Sequence, residues 1–353
     1  VRWDGQRVTA DGRPVEPGAD RTLPGMEDAG LGPVRTFRAP EAMGMRFHEV
    51  RAKSALNKVP EGPYGFGWTV NPYRGCSHAC VYCFARPTHT YLGFDAGRDF
   101  EREIVVKVNA PEVLRRELGR RSWKRELVAL GTNTDPYQWV EGRYRLTRAI
   151  LEELDAADTP VSVLTKSPLV LSDLPLFERM NERRPVRVNL SVPTVDEAAW
   201  RATEPHTPSP RARLEAVAEL RRSGISSGIL IAPIMPGIND RPEQIEPILE
   251  AASEAGADFV TPVALNLRKE TRDVFFEWLR EARPDLVPEY ERLYSGRGRL
   301  SRDEQREITS AARGRYRQRP ISGGEDPPMT APGAGPGTEP EPTGKPQQFS
   351  LFD

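Results

Sequence analysis

The sequence predicts an α/β fold, a parallel sheet with helices packed outside it. Two observations carry this. Short runs of β-branched residues recur along the middle of the chain, and each is followed by an amphipathic stretch rich in Ala, Leu, Glu and Arg. Repeats of that kind bury strands between helices, as parallel sheets require. The expected strands are residues 68–72, 103–108, 127–131, 161–165, 186–192, 228–234 and 259–265. The expected helices are 111–119, 143–156, 174–182, 210–223, 241–255 and 271–282. The helix at 210–223 has clear signals at both ends. Ser209 can cap it, Pro210 suits its first turn, and Gly224 follows it.

The 353 residues are enough to bury a sizeable core. No apolar run approaches the ~18 residues of a membrane helix, the longest being about residues 228–235. The first residues, Val-Arg-Trp-Asp-Gly-Gln-Arg, lack the apolar stretch of a secretory signal. Three closely spaced cysteines make a poor disulfide framework and suit a metal site in a reducing compartment. The expectation is a cytoplasmic protein without membrane contact.

Four regions follow. Residues 1–60 are polar and rich in turn formers and read as an N-terminal extension; 61–285 hold the strand–helix core. Residues 286–319 form an Arg-rich helical segment, with nine arginines between 292 and 319 against Asp303, Glu304 and Glu307. It is either a solvated helix or a phosphate contact. Residues 320–353 are Pro/Gly-rich and net −4, with five acids against Lys345, and read as a disordered tail.

All three cysteines lie in one loop after the first core strand, Cys76-Ser-His-Ala-Cys80-Val-Tyr-Cys83, a C-x3-C-x2-C spacing. Three thiolates on a tight loop can hold three irons of a 4Fe–4S cluster and leave the fourth open to a small molecule. The alternative is a structural zinc with His78 or His89 as fourth ligand, but zinc sites usually pair two knuckles and no second one exists here. The strand ends are polar in succession. Residues 127–131 run into Thr132-Asn133-Thr134-Asp135, 161–165 into Lys166-Ser167, and 186–192 carry Asn189 and Ser191 on one face. Residues 228–234 end near Ala232-Pro233. These groups suit a zwitterionic ligand.

Together with Thr203-Glu204-Pro205-His206-Thr207, Arg213-Leu214 and Ile231-Ala232-Pro233-Ile234, these motifs resemble the spore photoproduct lyase-like branch of the radical S-adenosylmethionine (SAM) proteins. The resemblance runs from about residue 71 to 236. It implies a partial (β/α)6 radical SAM barrel whose 4Fe–4S cluster sits on Cys76, Cys80 and Cys83. It also implies SAM as cofactor, cleaved to a 5′-deoxyadenosyl radical, and a reductant such as flavodoxin or ferredoxin. Carried over, Tyr82 packs on the adenine, Thr134 and Asp135 hold the methionine amine, and Lys166 holds the carboxylate. Asn189 and Ser191 hold the ribose or carboxylate, and Ala232 meets the adenine through its backbone.

Two departures stand out. The lyase returns hydrogen from a cysteine where this chain has Thr132, and carries a tyrosine where this chain has Phe84. The chain therefore resembles a relative in the branch rather than the thymine-dimer lyase. Asn266, Arg268 and Lys269, after the last strand, are candidates for substrate contact.

The sequence ends Gln347-Gln348-Phe349-Ser350-Leu351-Phe352-Asp353. Gln348, Leu351 and Phe352 resemble the peptide by which bacterial DNA polymerases and repair proteins dock on the sliding clamp. The alternative is a segment folded back onto the body. The leading expectation is a radical SAM enzyme of DNA repair or DNA metabolism, lyase-type, with nucleic acid as a partner. The alternatives are a radical SAM enzyme modifying RNA, protein or a small molecule, and a non-catalytic iron–sulfur sensor.

Overall fold

The computed structural model describes residues 34–38, 42–60, 65–295, 298–314 and 316. In chain order its strands are β1 (Val34–Arg35), β2 (Arg46–Val50), β3 (Leu56–Lys58), β4 (Trp68–Val70), β5 (Tyr73–Arg74) and β6 (Glu103–Lys107). They continue with β7 (Val128–Leu130), β8 (Val161–Thr165), β9 (Val186–Ser191), β10 (Ile229–Ile234) and β11 (Val260–Ala264). The helices are α1 (Arg98–Arg102), α2 (Ala110–Leu118), α3 (Glu141–Tyr144), α4 (Leu146–Ala156), α5 (Leu174–Asn181) and α6 (Glu197–Thr203). After them come α7 (Pro210–Arg222), α8 (Pro242–Glu254), α9 (Glu270–Ala282), α10 (Val287–Leu293) and α11 (Arg302–Ile308).

The larger sheet has the order β11-β10-β9-β8-β7-β4-β3. From β4 to β11 every neighbouring pair is parallel, and β3 closes the edge antiparallel to β4. This is the expected partial (β/α)6 barrel. Alternate strand residues Val161, Val163, Val186, Val188, Ile229 and Ile231 pack outward on helical Leu114, Ile150, Leu154, Val217 and Ile248. The period of two then sends Asn189 and Ser191 to the opposite, inner face. Helix α7 has the ends its sequence foretold. The Ser209 hydroxyl accepts from the Ala212 N–H, and Gly224 stands at φ +75°.

The expected strand at 103–108 does form, as β6, but it lies outside this sheet. It pairs parallel with β2, Phe47 opposite Ile104, and antiparallel with β5, Tyr73 opposite Val106. These strands and β1 make a second, four-stranded sheet. A β-branched run shows that a strand will form, not which edge accepts it. The second sheet also draws in residues read as part of a polar extension. In β2, Phe47, His48 and Val50 are buried, and Arg46 and His48 both bind the Glu103 carboxylate of β6. Polar composition concealed this strand because its polar groups pair across the sheet.

A single expected helix at 143–156 is two, α3 and α4, broken where Arg145 takes φ +53°. Glu141 makes the break tolerable, since its Oε1 accepts from the Thr147 and Arg148 N–H groups at the start of α4. In the Arg-rich segment, α11 opens with a reciprocal Ser301–Glu304 cap, and Ile308 packs against the main core. Arg297, Arg315, Arg317, Arg319 and the tail at 320–353 lie outside the described residues. No helix among the described residues is long and apolar enough to cross a membrane.

Candidate active site

The cysteine loop leaves β5 through Gly75. At φ +78° it adopts a conformation that favours glycine, and an added Cβ would lie 2.8 Å from the Phe100 carbonyl oxygen. Gln138 grips the turn from both sides, donating to the Gly75 carbonyl at 3.1 Å and accepting from the Ser77 N–H at 3.0 Å. The far side is held by Arg86, whose guanidinium is fully buried. It donates to the carbonyls of Cys80 (2.9 Å), Ala79 (3.2 Å), Ala96 (3.0 Å) and Gly97 (2.8 Å). Its fork of donors matches a loop of outward carbonyls. Helix α9 adds a bond from the Thr271 hydroxyl to the Cys83 carbonyl.

Cys76 and Cys80 are buried and Cys83 is partly so; all three are free thiols. Burial pushes the Cys80 thiol well up, with Glu204 adding to it, and burial likewise raises Cys83, with Cys76 beside it. Such thiols shed their protons when a metal takes the proton's place. Among the described residues no three Cys, His, Asp or Glu side chains converge on a point where one ion could sit. Of the two histidines that could complete a zinc site, His89 is engaged elsewhere and His78 lies beside both Asp135 and Cys76. His89 Nε2 lies 2.9 Å from the Glu103 carbonyl, and its burial holds the ring down to about 4. His78 faces Asp135 at 3.3 Å. The donor set fits a 4Fe–4S cluster, in which each thiolate meets its own iron, better than a single zinc.

Asp135, after β7, joins two strand ends. Its Oδ1 accepts from the Thr165 hydroxyl (2.6 Å) and the Tyr137 N–H (2.9 Å), and its Oδ2 from the Lys166 N–H (2.7 Å). Burial would raise this carboxyl, but His78, Thr165 and Lys166 outweigh it and hold it at about 2. Thr134 donates its hydroxyl to the Tyr73 carbonyl at 3.0 Å.

The next strand ends meet more closely. Lys166 Nζ donates to Ser191 Oγ at 2.8 Å and stands 5.7 Å over the Tyr82 ring. Ser191 in turn donates to the Ala232 carbonyl at 3.1 Å, at the Ala232–Pro233 strand end. Tyr82, Lys166, Ser191 and Ala232 therefore form one connected set. Asn189 sits two residues back on the same face, fully buried. Its Oδ1 accepts from the Gly228 N–H, and its Nδ2 finds no partner among the described residues.

At the base of that set lies a group whose role the motifs had not disclosed. Glu204, following α6, is fully buried and bonded by the Tyr82 hydroxyl. It meets Arg213 at 2.6 Å, Lys166 at 3.5 Å and the Thr207 hydroxyl at 3.4 Å. Burial opposes its charge, yet Arg213 and Lys166 hold the carboxyl below its ordinary value. Arg213 also donates to the Ser191 carbonyl at 2.9 Å. Glu204 thus ties the cysteine loop, through Tyr82, to the lysine at the end of β8. Arg86 and Gln138 were likewise invisible as site residues, since nothing in their spacing tells which carbonyls they meet.

Of the substrate candidates, Arg268 and Lys269 are exposed, and the half-buried Asn266 keeps Oδ1 without a hydrogen-bond partner among the described residues. Phe84 is 55% exposed, directly after the last cysteine. Gln348, Leu351 and Phe352 lie outside the described residues.

A thiol loop after the first parallel strand faces the polar ends of the strands that follow. Residues 70–252 match the Radical SAM superfamily, and the chain belongs to it. It is 48% identical over 295 residues to an uncharacterised protein of Mycobacterium tuberculosis, covering 83% of this chain and 85% of that one. It is 27% identical over 168 residues to the radical SAM Nalpha-GlyT isomerase of Pseudomonas phage M6, covering 47% of this chain and 33% of that protein. Among solved structures, spore photoproduct lyase complexed with dinucleoside spore photoproduct shares the fold. The TM-score is 0.53 at 19% identity, over 75% of this chain and 76% of the lyase. Membership implies a 4Fe–4S cluster and SAM, and a radical SAM enzyme.

Proposed function

We propose that this chain binds a 4Fe–4S cluster through Cys76, Cys80 and Cys83, cleaves SAM beside it, and acts in DNA metabolism. The observation that carries the chemistry is the connected set Tyr82–Lys166–Ser191–Ala232 at the strand ends, joined by Glu204 to the cysteine loop. The cluster, when bound and reduced, supplies the electron that splits SAM into methionine and a 5′-deoxyadenosyl radical. Lys166 pairs with the carboxylate of SAM through a charge-assisted hydrogen bond. Asp135 accepts from the Thr165 hydroxyl and from the Tyr137 and Lys166 N–H groups and faces His78 at 3.3 Å, so the ligand's amine would share this carboxylate with His78. Ser191 and Asn189 serve the ribose, the Ala232 backbone and the Tyr82 ring the adenine.

DNA is the proposed substrate class because the lyase that shares the fold was solved with a dinucleoside photoproduct. The C-terminal Gln348, Leu351 and Phe352 add a docking peptide for the bacterial sliding clamp. A specific observation also favours isomerisation over the lyase reaction. With Thr132 and Phe84 at the two relay positions, neither side chain can hand back a hydrogen atom. An isomerase needs no such donor, since hydrogen removed at one carbon returns at another, and the phage relative is named an isomerase.

The test is anaerobic reconstitution followed by reduction in the presence of SAM. About four irons and four sulfides per chain, with 5′-deoxyadenosine released or SAM exchanged, are expected. Replacing any of the three cysteines by Ala should bleach the chromophore. Tight zinc without colour would refute the cluster, and a coloured protein that binds SAM but leaves it whole would make the chain a sensor. Comparing base masses in DNA from cells with and without the chain tests the substrate class.

A further inference from the structure

On the face of the barrel opposite the cysteine loop lies a cationic groove. The loop joining α2 to β7 enters the sheet at the N-terminal ends of its strands, where the Val128 N–H bonds the Pro160 carbonyl; Thr134 and Asp135 follow the other end of β7. This loop and its neighbours enclose a groove of about 580 Å³, lined by Arg115, Arg120, Arg121, Trp123, Lys124 and Arg125. Between residues 115 and 126 the chain carries six cations and two acids. Neither acid lines the groove. Glu117 is buried and accepts from the Ala55 and Leu56 N–H groups, and Glu126 accepts from the Trp68 indole. Arg115 is bound by Glu153; Arg120, Arg121, Lys124 and Arg125 are exposed and form no ion pair within 4 Å among the described residues, although Arg184 and, less strongly, Arg125 hold the Asp158 carboxyl down. Elsewhere on this end of the barrel, Arg179, Arg183 and Arg184 are each paired with Asp155 or Asp158.

We infer that this groove binds the phosphate backbone of a nucleic acid, independently of SAM chemistry at the other face. Four exposed cations without a close ion-pair partner around a concave surface match a run of phosphates, and three of them are guanidinium forks suited to bidentate contact. The groove has a rigid wall. Trp123 donates its indole N–H to the Thr159 hydroxyl at 3.1 Å and packs edge-on against Trp68, ring centres 5.6 Å apart. Concavity argues against a flat headgroup plane. So does the location of the exposed large apolar side chains, Met43, Phe84 and Tyr91, none of which lines the groove. The contact is to backbone, so it holds a strand without reading its bases.

The experiment is fluorescence anisotropy of a labelled 20-base-pair DNA duplex titrated with the full cluster-loaded chain at several salt concentrations. The comparison is a variant carrying Arg120→Ala, Arg121→Ala, Lys124→Ala and Arg125→Ala. The wild type should bind, and the variant should lose at least about tenfold in affinity at moderate salt. Its slope of log K against log salt should fall in magnitude by about 3–4, near 0.9 for each phosphate released. All four side chains are exposed, so the melting temperature and the cluster chromophore should be unchanged. An unchanged affinity and slope overturns the inference. So does loss of binding to phosphatidylglycerol vesicles with duplex binding intact, which would make the groove a membrane contact. Because no readout involves SAM, failure here is distinct from failure of SAM cleavage.

Discussion

The Glu204 carboxylate and the Arg213 guanidinium meet at 2.6 Å, and neither side chain is exposed. Two such charges lose their water on folding, so each depends on the other, and removing one leaves an uncompensated ion in the interior. Glu204→Ala should therefore cost about 3–5 kcal/mol in urea unfolding. Replacing Glu204 and Arg213 together by Met should recover only part of that loss, because the Tyr82 hydroxyl, Lys166 and the Ser191 carbonyl each lose a partner. A single variant as stable as wild type would show that water reaches the pair.

Lys166→Ala removes the cation that bonds the Ser191 hydroxyl beside Tyr82, and its side chain is 16% exposed. SAM affinity should fall by about 1.5–3 kcal/mol, roughly tenfold to a hundredfold, with the cluster retained. Titration of SAM into anaerobic protein measures it. Unchanged affinity would place the SAM carboxylate on a different strand end.

Gly131 carries the turn from β7 into Thr132–Asp135. It stands at φ +83°, and a Cβ there would lie 1.8 Å from the Leu164 carbonyl oxygen. Gly131→Ala must push β7 and β8 apart where Asp135 joins them. More than about 1 kcal/mol of stability should be lost, the usual scale for a strained backbone position, together with SAM affinity. A melt and a SAM titration check both.

Glu141 gives the fold a pH dependence. Burial pushes its carboxyl up to about 7 from 4.5, although the Tyr73 hydroxyl and the Thr147 and Arg148 N–H groups bond it. Since the folded value lies above the unfolded one, the protonated form stabilises the fold. That contribution is full below pH ~4.5 and is lost as pH rises through about 7. Glu141→Gln keeps an acceptor for both N–H groups and cannot ionise. Its melting temperature should match wild type near pH 4.5 and exceed it at pH 8. A constant difference across that range would refute the assignment.

Much of this protein was determined by local sequence. The C-x3-C-x2-C spacing keeps three thiols within one short segment, and the turn that gathers them is held by Gln138, Arg86 and Thr271. The alternation of β-branched runs and amphipathic stretches determined the partial barrel, and Ser209-Pro210 with Gly224 determined the ends of α7, because periodicity and capping act over a few residues. Polar strand ends marked Lys166, Ser191 and Ala232 for the same reason, since alternation and a parallel sheet send them to one rim.

Only the tertiary structure decided partners. It placed β6 and the buried residues of β2 in a second sheet, a choice between edges that composition does not record. It set Glu204 between Tyr82, 122 residues away, and Arg213 in the next helix, and put Arg86 under the carbonyls of the cysteine loop. It also left Arg120, Arg121, Lys124 and Arg125 exposed around a groove without a close ion-pair partner among the described residues. Each of these depends on which distant group shares a buried or concave space. That is a property of packing, since a charge in the chain has the same spelling whether it is neutralised or free.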